Sequence, residues 1–191
     1  MLVQNTTRRV HNRAMADITT HYEIRLARAA DLPCLPDLEM AAAQRFLSSL
    51  HPDAAQGYPI SVALHQTWLA HDGVWIAATA QGELAGFAAW VPLAMDMYVV
   101  ELDVHPVHAR RRVGAQLLDA LSALGGRLGF GRLVLRTFRD VPWNAPYYQR
   151  LGFEALNERE EHPELTSVRR HEASVGLDSG QRSTLYRFIR A

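Results

Sequence analysis

Across ELDVHPVHARRRVGAQLLDAL the hydrophobic period changes from two to about 3.6 within one short turn, and that change restricts the chain's architecture more than any other feature. MYVVELDV alternates as a strand and stops at His105 and Pro106. Arg110, Arg111 and Arg112 form a polar turn, and from Val113 to about Leu128 the residues Val113, Leu117, Leu118, Leu121 and Leu124 fall on one stripe of a helix. Gly125, Gly126 and Gly129 mark its end. A stripe of that kind packs on a sheet, so strand, turn and helix form one unit. The helix opens without an acid in its turn, and its first amides therefore face an anion at the positive end of the helix dipole. Gly114 permits close approach, and the arginines add charge-assisted donors. Three arginines on a turn read as well as a solvated surface, and the strand–turn–helix setting favours the anion site. A nucleic-acid patch fits poorly, because no aromatic residue or lysine interleaves with them.

The rest of the chain sorts into similar short elements. YEIRLARAADLPCL begins a strand, and Asp31 offers an N-cap for a helix running to about Phe46. Pro52, Gly57 and Pro59 then break regular structure, and SVALHQTWLAHDG gives a second helix. VWIAATA and LAGFAAWVPL, linked by QGEL, suit an antiparallel hairpin. RLVLRTF is a strand, WNAPYYQRLGF a short helix closed by Gly152, and STLYRFI a terminal strand. The order predicts a mixed α/β fold with strands dominating the middle, as one domain over residues 21–191. Residues 1–20, with Arg8, Arg9 and Arg13 against Asp17 and no apolar periodicity, read as a loose arm.

Composition removes several chemistries. All 20 Lys+Arg positions are arginine. A lysine-bearing phosphate loop, pyridoxal chemistry and Schiff-base chemistry therefore have no amine to use. The single Cys34 forms neither an internal disulfide nor a cysteine zinc site; at the start of the first helix it reads as a small buried residue, and the chain suits a reducing, cytoplasmic compartment. His105 and His108 have no third ligand nearby and read as turn or surface histidines, so no metal is expected. Zero formal net charge gives no footprint for nucleic acid, and the absence of a long apolar run gives none for a membrane.

VHPVHARRRVGAQLL resembles the acetyl-CoA motif of the GNAT superfamily of N-acetyltransferases, in which Val-x-Pro is followed by Gln/Arg-x-x-Gly-x-Gly/Ala at a helix start. Ala109 stands at the Gln/Arg position and Arg112 at the first glycine, while Gly114 matches the second. NAPYYQRLGF resembles the family's later motif, with Tyr148 four residues before Gly152, and TFRDVPWNAPYYQRLGF points to a bacterial subgroup. The resemblance implies a mostly antiparallel central sheet of six to seven strands flanked by about four helices. It implies acetyl-CoA as cofactor, held by Ala109, Arg110, Arg111, Arg112, Val113, Gly114 and Ala115, by main-chain groups of Leu102 and Val104, and by Asn144 and Tyr148. It implies that Tyr148 protonates the departing thiolate and that main-chain N–H groups near Leu102 to Val104 hold the oxyanion.

The amine acceptor arrives protonated and needs a base. Alternation places Glu101 and Asp103 on one face of their strand, with His105 continuing it and Val100, Leu102 and Val104 on the other. Glu101 is the expected base; Asp103 reads as structural. The expected function is direct acetyl transfer to a primary amine, small-molecule or peptide, with a homodimer as the candidate assembly. The alternative is a degenerate module of the same fold that binds CoA without chemistry.

Overall fold

The computed structural model describes residues 21–177 and 180–189. Among the described residues seven strands form one sheet in the order β1-β2-β3-β4-β5-β7-β6, and five α-helices lie on its two faces. The strands are β1 Glu23–Leu26, β2 Val74–Ala78, β3 Leu84–Leu93, β4 Asp96–Val104, β5 Arg132–Phe138, β6 Glu154–Ala155 and β7 Arg182–Phe188. The helices are α1 Leu35–Ala43, α2 Val62–Leu69, α3 Val113–Leu128, α4 Ala145–Arg150 and α5 Pro163–Ser174. Every neighbouring pair is antiparallel except β4 with β5.

The stripe on α3 is the centre of the larger core. Leu117, Leu118 and Leu121 are fully buried against Ala88, Trp90, Met97, Val99, Leu133 and Leu135, together with Ala145 of α4 and Phe153. Truncating any one of these leucines to alanine costs about 2–5 kcal/mol. The opposite face is covered in two parts. Helices α1 and α2 pack Leu35 and Leu38, with Val62 and Trp68, on Val74, Ile76, Phe87 and Ala89, whereas α5 packs Leu165 and Val168 on Tyr98 and Val134. Helix α3 ends where Gly129 takes φ +83° and the Phe130 N–H returns to the Gly125 carbonyl.

Two irregularities position the site. Ala89 pairs with Glu101 but Trp90 pairs with Val99, so Val100 is an extra residue, a β-bulge in β4. Before it Met97 and Val99 face α3; after it Leu102 and Val104 do. Val100 joins Tyr98 on the other face, which corrects the simple alternation that grouped it with Leu102 and Val104. The second irregularity is a splay. Pairing of β4 with β5 ends at Val99 and Leu135, although both strands continue, so a wedge opens between Val100–Val104 and Arg136–Phe138.

Several expectations are corrected. Asp31 does not cap α1: its carboxylate accepts from the Arg28 N–H at 2.6 Å and from Arg25 Nη1 at 2.7 Å. Helix α1 stops at Ala43 and continues to Ser48 as a 3-10 helix. Cys34 is exposed, not buried, because its 3-10 turn buries Leu32 instead. His108 is buried, with Nδ1 3.1 Å from the Tyr22 hydroxyl, not at the surface. The fold class itself agrees with the expectation: a mostly antiparallel sheet of seven strands, with α5 as a further flanking helix among the described residues. The expected arm, residues 1–20, lies outside the described residues. No helix among the described residues is long and apolar enough to cross a membrane.

Candidate active site

The wedge between β4 and β5 widens into a cleft of about 2250 Å3, lined by α1 and the loop to α2 on one side and by the α3 start and α4 on the other. That exceeds the space one small ligand fills, so two molecules can meet in it.

At one end lies the turn before α3. Arg110 has φ +63° and Arg112 φ +61°, both left-handed, so arginine adopts at position 112 the conformation that glycine takes without strain. Arg112 is the N-cap of α3; no side chain caps the helix and no acid lies in its first turn. Its opening amides are left to an external acceptor or to water. A Cβ on Gly114 would sit 3.0 Å from the Tyr147 hydroxyl, so the absence of a side chain lets α4 approach the α3 start. Of the predicted run, Ala109, Arg110, Arg112, Val113, Gly114 and Ala115 line the cleft; Arg111 does not.

Along the floor runs the open edge of β4. The His105 N–H donates to the Ala85 carbonyl at 2.9 Å, and hydrogen-bonded pairs alternate along an antiparallel ladder. Glu101 and Asp103 therefore turn their main-chain groups to β3, and Leu102 and Val104 turn theirs to the wedge. The side chains do the reverse: Leu102 and Val104 pack towards α3, and Glu101 and Asp103 face the α1 side of the cleft.

Electrostatics single out the same place. Burial pushes the Glu101 carboxyl up to about 7, the charge of Glu39 adds to this, and Arg182 and the Leu102 N–H oppose it. Burial, with Glu101 and Glu39 beside it, raises Asp103 well above the carboxylate range, Arg45 opposing. Glu39 on α1 is raised by burial although its Oε2 accepts the Ile60 N–H at 2.9 Å. On the other wall the Tyr148 hydroxyl is raised, by burial first and then by the charge of Glu101, so it holds its proton at neutral pH. Tyr148 rests on Phe153, ring centroids 5.7 Å apart. Asn144 starts α4 without using its side chain as a cap and also lines the cleft. The sequence reading did not single out Glu39, Tyr147 or Arg45, because none belongs to a spaced pattern; only the tertiary fold brings them here.

Acidic and phenolic groups with displaced titration, facing each other across a strand wedge beside an uncapped helix start, are the outline of a group-transfer site. Residues 40–153 match the model of the Acetyltransferase (GNAT) family, more than half of the 191 residues, and the chain belongs to that family. Solved structures of similar fold include N-acetylglutamate synthase from Neisseria gonorrhoeae complexed with coenzyme A and N-acetyl-glutamate, at TM-score 0.67 and 19% identity over 90% of this chain. This chain spans only 36% of that synthase's length. The PaiA N-acetyltransferase from Thermoplasma acidophilum in complex with coenzyme A has TM-score 0.64 and 14% identity, covering 88% of this chain and 99% of its own. The ribosomal-protein-S18-alanine N-acetyltransferase from Escherichia coli has TM-score 0.58 and 18% identity, covering 90% and 96%.

Proposed function

We propose that this protein moves an acetyl group from acetyl-CoA to a primary amine, small-molecule or peptide, by direct transfer between two substrates bound together in the cleft. The observation that carries the reading is the meeting, where β4 leaves β5, of an uncapped α3 start, the outward main chain of Leu102 and Val104, Glu101 and Tyr148.

The residues fit the coenzyme by their chemistry. A diphosphate matches the amides of Val113, Gly114 and Ala115 with the guanidinium groups of Arg110 and Arg112 and the turn at Ala109, and no lysine is needed. An amide-bearing arm matches the edge groups of Leu102 and Val104, with Asn144 facing it across the cleft. Acetyl-CoA supplies an electrophilic thioester carbonyl. Glu101, poised near neutrality, takes the proton that the acceptor ammonium must lose. The edge N–H groups receive the carbonyl oxygen as it gains charge. Tyr148 gives its proton to the departing sulfur.

Free-thiol release over a panel of amines, with calorimetric titration of CoA, tests this reading. Saturable CoA binding and acceptor-dependent thiol release are expected. Tyr148→Phe lowers turnover at least tenfold and leaves CoA affinity nearly unchanged. Titration without heat, or a Tyr148→Phe variant with full turnover, would remove respectively the coenzyme site and the tyrosine.

A further inference from the structure

Three arginines lie on the acceptor side of the cleft, and they differ in what they are doing. Arg136 Nε donates to Glu172 Oε2 at 2.7 Å and its Nη1 to Thr184 Oγ1 at 2.7 Å. Arg182 Nη2 donates to the Arg136 carbonyl at 2.9 Å and lies 3.2 Å from Glu172 Oε1. Both are committed to holding α5 against β5 and β7. Arg45, just past the end of α1, has neither a hydrogen bond nor an ion pair from its guanidinium among the described residues. It is held instead on the face of Trp143, 4.6 Å from the ring centroid, and Phe46 braces that indole edge-on at 5.8 Å. A guanidinium stacked on an aromatic face is oriented while its N–H fork stays available, and the fork matches a carboxylate in bidentate fashion. Arg45 is exposed and lines the cleft with Glu101 and Asp103, so the acceptor half offers an available cation and an available carboxylate in one space.

We propose that Arg45, seated on Trp143, receives a carboxylate carried by the acceptor, so that the acceptor is a small amino acid whose ammonium group faces Glu101. This rests on the transfer reading above and narrows its substrate. A plain amine leaves the Arg45 fork without a partner, and a zwitterion satisfies both ends of the cleft. A guanidinium fork that pairs with a carboxylate separates an acid from its amide by charge and geometry together.

The test uses matched acceptors on the unaltered protein: amino acids, their C-terminal amides, and the corresponding decarboxylated amines, assayed by thiol release with saturating acetyl-CoA. Acids are expected to exceed their amides and amines at least tenfold in kcat/KM, with the difference mainly in KM. Arg45→Gln is then expected to collapse that acid-to-amide ratio towards one, and Arg45→Lys to retain part of it, while CoA affinity by calorimetry reports that the rest of the cleft is intact. Equal turnover of acids and amides by the unaltered protein overturns the Arg45 assignment and leaves the transferase reading standing. A ratio unchanged in Arg45→Gln overturns it too. Thiol release with no acceptor at all overturns the transfer reading, and the substrate class falls with it.

Discussion

The carboxyl of Glu101 illustrates how one residue's setting becomes a measurable property. Its folded value of about 7 lies above the roughly 4.3 of a free glutamate. Below both values it is protonated folded or unfolded and costs nothing. Between them the unfolded chain gives up the proton and the folded one keeps it, so stability falls as pH rises through this window. Glu101→Gln removes that penalty: thermal melts are expected to show the variant gaining on the parent as pH rises from 4 to 8, with no difference at the acid end. As the base, the same group gives kcat/KM an acid limb with an apparent pKa near 7, and Glu101→Gln loses that limb; a limb that persists places the base elsewhere. Glu101 was legible because alternation and the family resemblance both led to it. Its titration was not, since Glu39 reaches it from another helix. Arg112 was legible as a departure from glycine, and the backbone shows the departure accommodated: the position keeps its left-handed turn at a cost on the order of 1 kcal/mol.

At the level of elements, β3 and β4 must lie close for the floor of the cleft to keep its shape, and Gly86 makes that possible. A Cβ there would sit 2.6 Å from the Asp103 carbonyl oxygen and 3.2 Å from Val113 Cγ1. The first is backbone and cannot swing aside. Gly86→Ala is expected to cost about 1–3 kcal/mol in denaturant unfolding and to weaken CoA binding by displacing the edge of β4; a variant as stable as the parent would mean the strands can part without loss. Strand and helix bounds were readable where period and glycine agreed, as for α3 and β5. Helix α5 escaped notice for a physical reason. Few apolar residues mark it: Leu165 and Val168 pack on the sheet, and the rest of its attachment is ionic, Glu172 meeting Arg136 and Arg182, with Arg169 3.3 Å from Glu161. Partners that far apart in the chain leave no periodic trace. The bulge at Val100 was equally invisible, because an extra residue in a strand has no composition of its own.

For the whole molecule, one parallel pair inside an otherwise antiparallel sheet creates the opening, and every functional group proposed here borders it. Binding in that wedge links the two halves of the sheet, so CoA at a hundred times its Kd is expected to stabilise the protein by about 2.7 kcal/mol. That corresponds to a rise of roughly 5–10 °C in Tm for a chain of this size. A Tm independent of CoA concentration would mean that the folded protein does not bind the coenzyme. The fold class was readable because each local pattern agreed with the family's arrangement; the acceptor was not, since Arg45 and Trp143 are brought together only by folding. The supernumerary residue at Val100 has a genetic corollary. Deleting that single codon would leave Met97, Val99, Leu102 and Val104 in strict alternation beneath α3 and Glu101 and Asp103 on the cleft side. Keeping the codon and ironing the strand flat would instead carry both carboxylates into the greasy layer; the kink is what lets an odd count of letters keep its acids out.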